Sequence, residues 1–354
     1  MAPKRPGVDL DTLAPRITRD WFILCASDEL GDAPLQRRLW GQPVALFRDA
    51  EGAARALVDR CPHRNVPLSM GDVVEGTLRC AYHGWRFAGD GRCVAVPALE
   101  GEADRPVRRA TALPTREQQG FVWVWADTEH APDRDPFRFE CADAPGYVTV
   151  RRPLSTPGSL YAVIENALDV PHTAFLHGGL FRKDGGTRQP VRCVIRREGR
   201  TASCAFLGER RPPGIAARLL SPSGGEVEHT DRFHLPSITE VEYRLGTENH
   251  LVLQGACTPV DDWETVVWAV VSARTRLPGA LLRAVVEPLA VRIFGQDRVI
   301  LDAQLRTLRT FEEARFASTD VDVLGHHILR LMQRAARGEP AESEAYTREV
   351  TMWL

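Results

Sequence analysis

One residue separates Cys61 from His63. After sixteen more come Cys80 and His83, so the two clusters read Cys-Pro-His and Cys-Ala-Tyr-His. Two soft thiolates and two imidazoles in paired sets fit a two-iron, two-sulfur centre, with two cysteines on one iron and two histidines on the other. The competing reading is a structural zinc site. Zinc sites usually gather both cysteines in one cluster and both histidines in the other. Each cluster here mixes the two, and a single residue between ligands suits a tight loop. Core packing does not bring four such ligands together within 23 residues. Because an iron–sulfur centre moves electrons, the chain is either a carrier or the owner of a second site that uses them.

A second chemical segment runs from Glu165 to Gly179 and holds two histidines, an aspartate and an asparagine within twelve residues: Asn166, Asp169, His172 and His177. Oxygen-activating iron(II) sites use two histidines and one carboxylate on one side of the metal and leave other positions open. Residues five apart on a regular α-helix are rotated by about 140°, so His172 and His177 share a metal only if the helix is distorted. Pro171 supplies a kink, and Gly178-Gly179 supplies an exit. Asp169, three residues before His172, is placed one turn away, where it can accept a hydrogen bond from a ligand imidazole. Asn166 lies a further turn back, facing the iron without binding it or serving as a structural amide.

The run Cys61-Pro62-His63-Arg64 and Cys80-Ala81-Tyr82-His83-Gly84-Trp85 resembles the Rieske iron–sulfur domain. The segment Asn166-x-x-Asp169-x-x-His172-x-x-x-x-His177 resembles the mononuclear site of the Rieske non-haem iron oxygenases, whose terminal oxygenase subunits carry the two motifs in this order. The resemblance is to their monooxygenase and demethylase branch. No cysteine lies in Arg64–Met70 or Gly84–Gly91. The extra disulfide of the high-potential respiratory Rieske proteins is therefore missing, and the lower-potential kind is implied. The resemblance also points to a third ligand in Phe294–Gln304, where an aspartate precedes an apolar run, an acidic residue and a glutamine. It makes Asp297 the ligand, with Asp302 the runner-up. The plain role for Asp302 is an i,i+4 partner of Arg298 or Arg306. It further implies that Asp169 bridges the iron ligand to a Rieske histidine of a neighbouring subunit. The two sites of one chain would then be too far apart for useful electron transfer, and the assembly would be a head-to-tail ring, a homotrimer.

The elements that must position these residues follow from the hydrophobic pattern. From Trp21 to Asp127 the chain reads as short strands and turns: Val44–Phe47, Ala56–Asp59, Thr77–Arg79, Arg86–Phe87 and Phe121–Ala126, with a turn at Asp90-Gly91. The ligand clusters fall in loops between strands. Residues 127–145 are rich in Asp and Pro and form the linker. Beyond it, Leu160–Leu176 has helical period, and Arg192–Phe206 and Ile238–Arg244 alternate as strands do. Leu251–Thr258 and Thr265–Val271 form a hairpin. Leu281–Leu308 is a long amphipathic helix on Leu282, Val285, Val286, Leu289, Ile293, Ile300 and Leu301. The expected fold is α+β. An all-β Rieske [2Fe-2S] domain at 17–130 precedes a helix-grip-like catalytic domain at 131–354, an antiparallel sheet with a long C-terminal helix.

At 354 residues two domains are the natural expectation. The net charge of −2 gives no reason for a nucleic-acid or anionic-membrane partner. Lys4 and Lys183 are the only lysines beside many arginines, as a GC-rich bacterial genome would give. No signal peptide or 18-residue apolar run is visible. Cys25, Cys93, Cys141, Cys193, Cys204 and Cys257 are scattered, as free thiols in a reducing cytoplasm would be. His130 reads as solvated. His229, His234 and His250 read as surface or satisfied core residues, and His326-His327 as a surface or packing pair. No G-x-G-x-x-G follows a strand, so NAD(P)H or flavin belongs to a separate reductase, directly or through a ferredoxin. The reading that unites these points is a terminal oxygenase using a [2Fe-2S] cluster, Fe(II) and O2 to hydroxylate or oxidatively demethylate a small organic substrate. Its alternatives are desaturation or dihydroxylation at the same site, or an electron-transfer protein without the mononuclear iron.

Overall fold

The computed structural model describes residues 15–177, 189–209, 227–246, 249–275 and 279–354. The Gly178-Gly179 exit and the side chains of Leu282, Val285, Val286 and Leu289 lie outside the described residues. The chain divides into two compact units, Arg16–Arg138 with Thr258–Asp262, and Phe139–Cys257 with Trp263–Leu354.

The first unit is made of short strands: Trp21–Ala26 (β1), Leu35–Leu39 (β2), Gln42–Arg48 (β3), Ala54–Val58 (β4), Asp72–Val74 (β5), Thr77–Arg79 (β6), Arg86–Phe87 (β7), Cys93–Ala95 (β8), Ala112–Leu113 (β9), Thr115–Gln118 (β10) and Phe121–Trp125 (β11). They form three antiparallel sheets, in the orders β1-β11-β10, β2-β3-β4-β9 and β5-β6-β7-β8. β11 is buried throughout, and Trp21, with its ring set edge-on against Trp125, closes that core. The sheet of β5–β8 carries one ligand loop between β6 and β7. The other loop follows β4. Both pack on a core that includes Phe47, Leu57, Leu68, Leu78 and Phe87.

The second unit is built on one eight-stranded sheet of Val148–Pro157 (β12), Pro190–Gly199 (β13), Thr201–Leu207 (β14), Val227–His234 (β15), Ile238–Leu245 (β16), Asn249–Pro259 (β17), Glu264–Arg274 (β18) and Glu342–Trp353 (β19). Its order is β12-β18-β17-β16-β15-β14-β13-β19. Strand alternation gives the sheet two distinct faces. On one, Phe206, His229, Tyr243 and Leu251 stand opposite one another, as do Cys204, Asp231, Val241 and Leu253. On the other, Arg232 bonds both Glu240 and Glu242, and Gln254 bonds Glu240.

Among the described residues three α-helices complete the unit: Leu160–Ala167 (α1), Gly279–Phe311 (α2) and Gly325–Ala336 (α3). α2 packs on β12, where Arg152 pairs with Glu287. α1 buries Leu160, Val163 and Ile164, and α2 buries Leu301 and Leu305. The long helix expected toward the C-terminus is α2. α3 and β19 follow, and β19 pairs with β13 along nearly its whole length. The polar run at Glu342–Trp353 hides this strand, because an edge strand buries few of its side chains.

Candidate metal centres

The two ligand loops of the first unit share one backbone design. The amide of Cys61 donates to the Val66 carbonyl (2.9 Å), and that of Cys80 to the Trp85 carbonyl (2.8 Å). In return Asn65 N–H donates to Cys61 O (2.9 Å), and Gly84 N–H to Cys80 O (3.0 Å). Closing each turn requires a left-handed residue four positions after the cysteine, and Asn65 (φ 60°) and Gly84 (φ 69°) are the two residue types that accept it most readily. Behind the first loop the buried carboxylate of Asp59 accepts from the Ser69 amide (2.7 Å) and hydroxyl (2.6 Å).

Cys61 and Cys80 are buried, His63 is half-buried and His83 is exposed. Burial pushes the Cys61 thiol well above its ordinary value. The His63 and His83 rings lie edge to face with centroids 4.5 Å apart, and Trp85 stacks flat on His63 at 4.6 Å and 4°. His63 Nδ1 is buried without a hydrogen bond. Two thiols and two imidazoles are the donor set of a two-iron cluster, with cysteines on one iron and histidines on the other. Among the described residues one other set, of three, brings its donor atoms within 4.8 Å of one another.

That other set is His172, His177 and Asp297. Ser159 caps α1, its hydroxyl accepting from Ala162 N–H at 3.2 Å. α1 ends at Ala167, and Pro171 opens a separate one-turn 3-10 helix, Pro171–Ala174. The expected kink within one helix is therefore a break between two. Proline has no N–H to continue the ladder but is at ease in a first turn. The His172 carbonyl then accepts from both Phe175 N–H (3.0 Å) and Leu176 N–H (2.8 Å), and this turn swings His177 back toward His172. The two Nε2 atoms are 3.2 Å apart, and Asp297 Oδ1, brought in by α2, lies 3.6 Å from His172 Nε2 and 3.1 Å from His177 Nε2. Asp297 Oδ1 is buried without a hydrogen bond. Two imidazole nitrogens and a carboxylate oxygen converging on one point fit a divalent cation with further positions open. Asp302 points elsewhere and pairs with Arg306 one turn on.

Asp169 Oδ2 lies 3.3 Å from His172 Nδ1. Burial disfavours the charged imidazole, but Asp169 and Asp297 outweigh it and raise His172 to about 9. A cation would displace that proton. The Asn166 carbonyl accepts from the Asp169 amide (3.3 Å), which fixes the turn between them. Gln296 is a residue that sequence reasoning passed over: its Oε1 is 3.0 Å from His177 Nδ1, and only its adjacency to Asp297 marked it. The other histidines have ordinary partners. His130 binds Asp127, His250 binds Tyr147 and Glu242, and buried His327 binds Arg197.

The Rieske [2Fe-2S] domain family matches residues 20–114, and the family described as the vanillate O-demethylase oxygenase C-terminal domain matches residues 159–338, half of the chain. The chain belongs to this Rieske oxygenase family. The oxygenase component of dicamba O-demethylase from Stenotrophomonas maltophilia is 31% identical over 72% of this chain and 65% of that protein. The vanillate O-demethylase oxygenase subunit of a Pseudomonas species is 26% identical over 92% of this chain and 96% of its own. The chain spans between half and two thirds of the length of several of the curated relatives it matches. A crystal structure of dicamba monooxygenase bound to 3,6-dichlorosalicylic acid superposes with a TM-score of 0.76 at 23% identity, covering 92% of this chain and 98% of the other. The α+β fold of this chain is thus a known one.

Proposed function

We propose that this chain is the terminal oxygenase component of a Rieske non-haem iron system. It uses O2 and electrons from a separate reductase to hydroxylate or oxidatively demethylate a small organic substrate. The observation that carries the proposal is the convergence of His172, His177 and Asp297 in a chain that also has a Rieske domain. A carrier protein has no use for such a triad. The two named relatives are O-demethylases, which favours demethylation among the possible outcomes.

In this reading Cys61 and Cys80 hold one iron of the [2Fe-2S] cluster and His63 and His83 the other. His172, His177 and Asp297 hold Fe(II), whose chemistry is the activation of O2 at its open positions. The protein's own part is positioning. Asp169 keeps the proton of His172 on Nδ1 and so turns Nε2 toward the metal. His83 is exposed, so an iron it holds would lie close to the protein surface, where electrons could enter or leave. We further assign Asp169 as the bridge to a neighbouring subunit's Rieske histidine, Asn166 as a residue that faces the iron without binding it, and a cyclic homotrimer as the working unit. The proposed domain division stays near residue 130, eight residues before the end of the first compact unit at Arg138, and the reductase is a separate flavin or ferredoxin component. No helix among the described residues is long and apolar enough to cross a membrane. A cytoplasmic location belongs to the proposal.

The test is iron quantification of the purified chain, followed by product analysis with a surrogate reductase and methoxylated aromatic acids. Three irons per chain and release of formaldehyde are expected. Two irons per chain with no turnover would make it an electron carrier.

A further inference from the structure

The two histidines of the triad are held from behind by chemically different groups. His172 Nδ1 faces the carboxylate of Asp169 at 3.3 Å, and His177 Nδ1 faces the side-chain amide of Gln296 at 3.0 Å. An imidazole that offers Nε2 to a cation must carry its remaining proton on Nδ1, so that nitrogen is a donor and its partner must accept. Gln296 meets the requirement with Oε1. His177 is 2% exposed, so water does not replace that acceptor. Gln296 and Asp297 are neighbours on α2, so a single helix turn carries both a ligand and the acceptor that orients another ligand.

We propose that Gln296 is a positioning residue for the mononuclear site, fixing His177 as the Nδ1–H tautomer while adding no charge. The inference rests on the metal-site reading above. The absence of charge matters because Asp297 and Asp169 already surround His172. A third carboxylate would make His177 a stronger donor and tilt the site toward the trivalent ion, whereas the amide orients the ring and leaves the donor strength of a neutral imidazole. Two arms hang on the metal differently as a result. His172 is backed by an anion and leads toward Asp169, and His177 is backed by a dipole and serves orientation alone.

The experiment uses the full-length chain with the mononuclear metal removed and the Rieske cluster retained. Metal-free protein is titrated with Co(II), and the His177 ring nitrogens are read by 15N NMR. In wild type with the metal bound, His177 should show one protonated Nδ1 and one Nε2 without a proton. Gln296→Leu keeps the volume and loses the acceptor. It should mix the tautomers and weaken Co(II) binding roughly 10–100-fold, the range for loss of a group that orients a metal-bound histidine. Gln296→Glu should restore the single tautomer and tight binding. It should also lower the reduction potential of the iron-loaded site, a change that repacking alone does not produce. Wild-type affinity and wild-type 15N shifts in Gln296→Leu would overturn the inference. So would failure of Gln296→Glu to rescue a weakened site. If wild type itself takes up no Co(II), the metal-site reading fails instead, so the two outcomes are distinguishable.

Discussion

The Nε2 atoms of His172 and His177 lie 3.2 Å apart although the residues are five apart in sequence. On one continuous helix they would diverge by about 140°. The break after Ala167 and the new turn opened by Pro171 remove that divergence. Asp297 Oδ1 closes the triangle at 3.1 and 3.6 Å.

The first prediction follows from that triangle. Substituting Ala for any one of His172, His177 and Asp297 should remove one iron per chain and lower turnover by at least about three orders of magnitude, since two ligands do not hold the ion against water. The Rieske EPR signal should remain. Asp302→Ala, by contrast, removes only an exposed pair with Arg306 and should leave iron content unchanged. Wild-type iron in Asp297→Ala together with loss in Asp302→Ala would exchange the two assignments.

Much of this was legible in the chain because ligand chemistry concentrates in short motifs. The spacing of Cys61, His63, Cys80 and His83 implied a loop-borne cluster, and the loops fall where the alternation of β4, β6 and β7 stops. The need for a distortion at Pro171 was also readable, since it follows from helix geometry alone. Its form was not: a kink and a break begin with the same proline, and only the packing of α1 decides between them. β19 was missed because its polar residues carry no core signal. Gln296 was missed because a side-chain amide on a helix face looks alike whether it faces water or an imidazole.

A second prediction concerns the cluster loops. Gly84 has φ 69°, and a Cβ there would stand 3.1 Å from Pro97 Cγ. Gly84→Ala should destabilise this loop by about 1–2 kcal/mol from the backbone alone, and cluster content per chain should drop. Asn65→Gly meets no such strain and should keep the cluster. The ratio of visible absorbance to protein in the two variants checks the contrast.

The third prediction is a pH dependence. His229 is buried with Nδ1 2.7 Å from Glu209 and Nε2 2.8 Å from Asp231, between the rings of Phe206 and Tyr243. Burial opposes its protonation, but Asp231 and Glu209 prevail and raise it from 6.5 to about 9. The folded chain thus holds this proton more tightly than the unfolded one. The resulting stabilisation is complete below pH 6.5 and is lost as pH rises through 9, roughly 3 kcal/mol at most. Iron-loaded protein should be compared with its His229→Gln variant by thermal melting, so that titration shared by both cancels. The gap between their melting temperatures should narrow from pH 6.5 to 9. A gap that does not change with pH would remove the charge on His229 from the account.

The last prediction concerns Asp169, whose Oδ2 lies 3.3 Å from His172 Nδ1. As an orienting acceptor alone, it could be replaced by asparagine at modest cost, because the amide oxygen still accepts the His172 proton. As the bridge to a neighbouring subunit's Rieske histidine, it must accept from two imidazoles at once, which a carboxylate does with two oxygens and an amide with one. Asp169→Asn should therefore keep both metals, the proposed subunit assembly and normal reduction of the cluster. It should still lose about two orders of magnitude in turnover, at the upper end of the effect of a group behind a metal ligand. The loss should appear in single turnover as slow reoxidation of a pre-reduced cluster, a step that a purely orienting role leaves alone. Sedimentation at assay concentration completes the test. A fully active monomer, or wild-type reoxidation in Asp169→Asn, would confine Asp169 to holding His172.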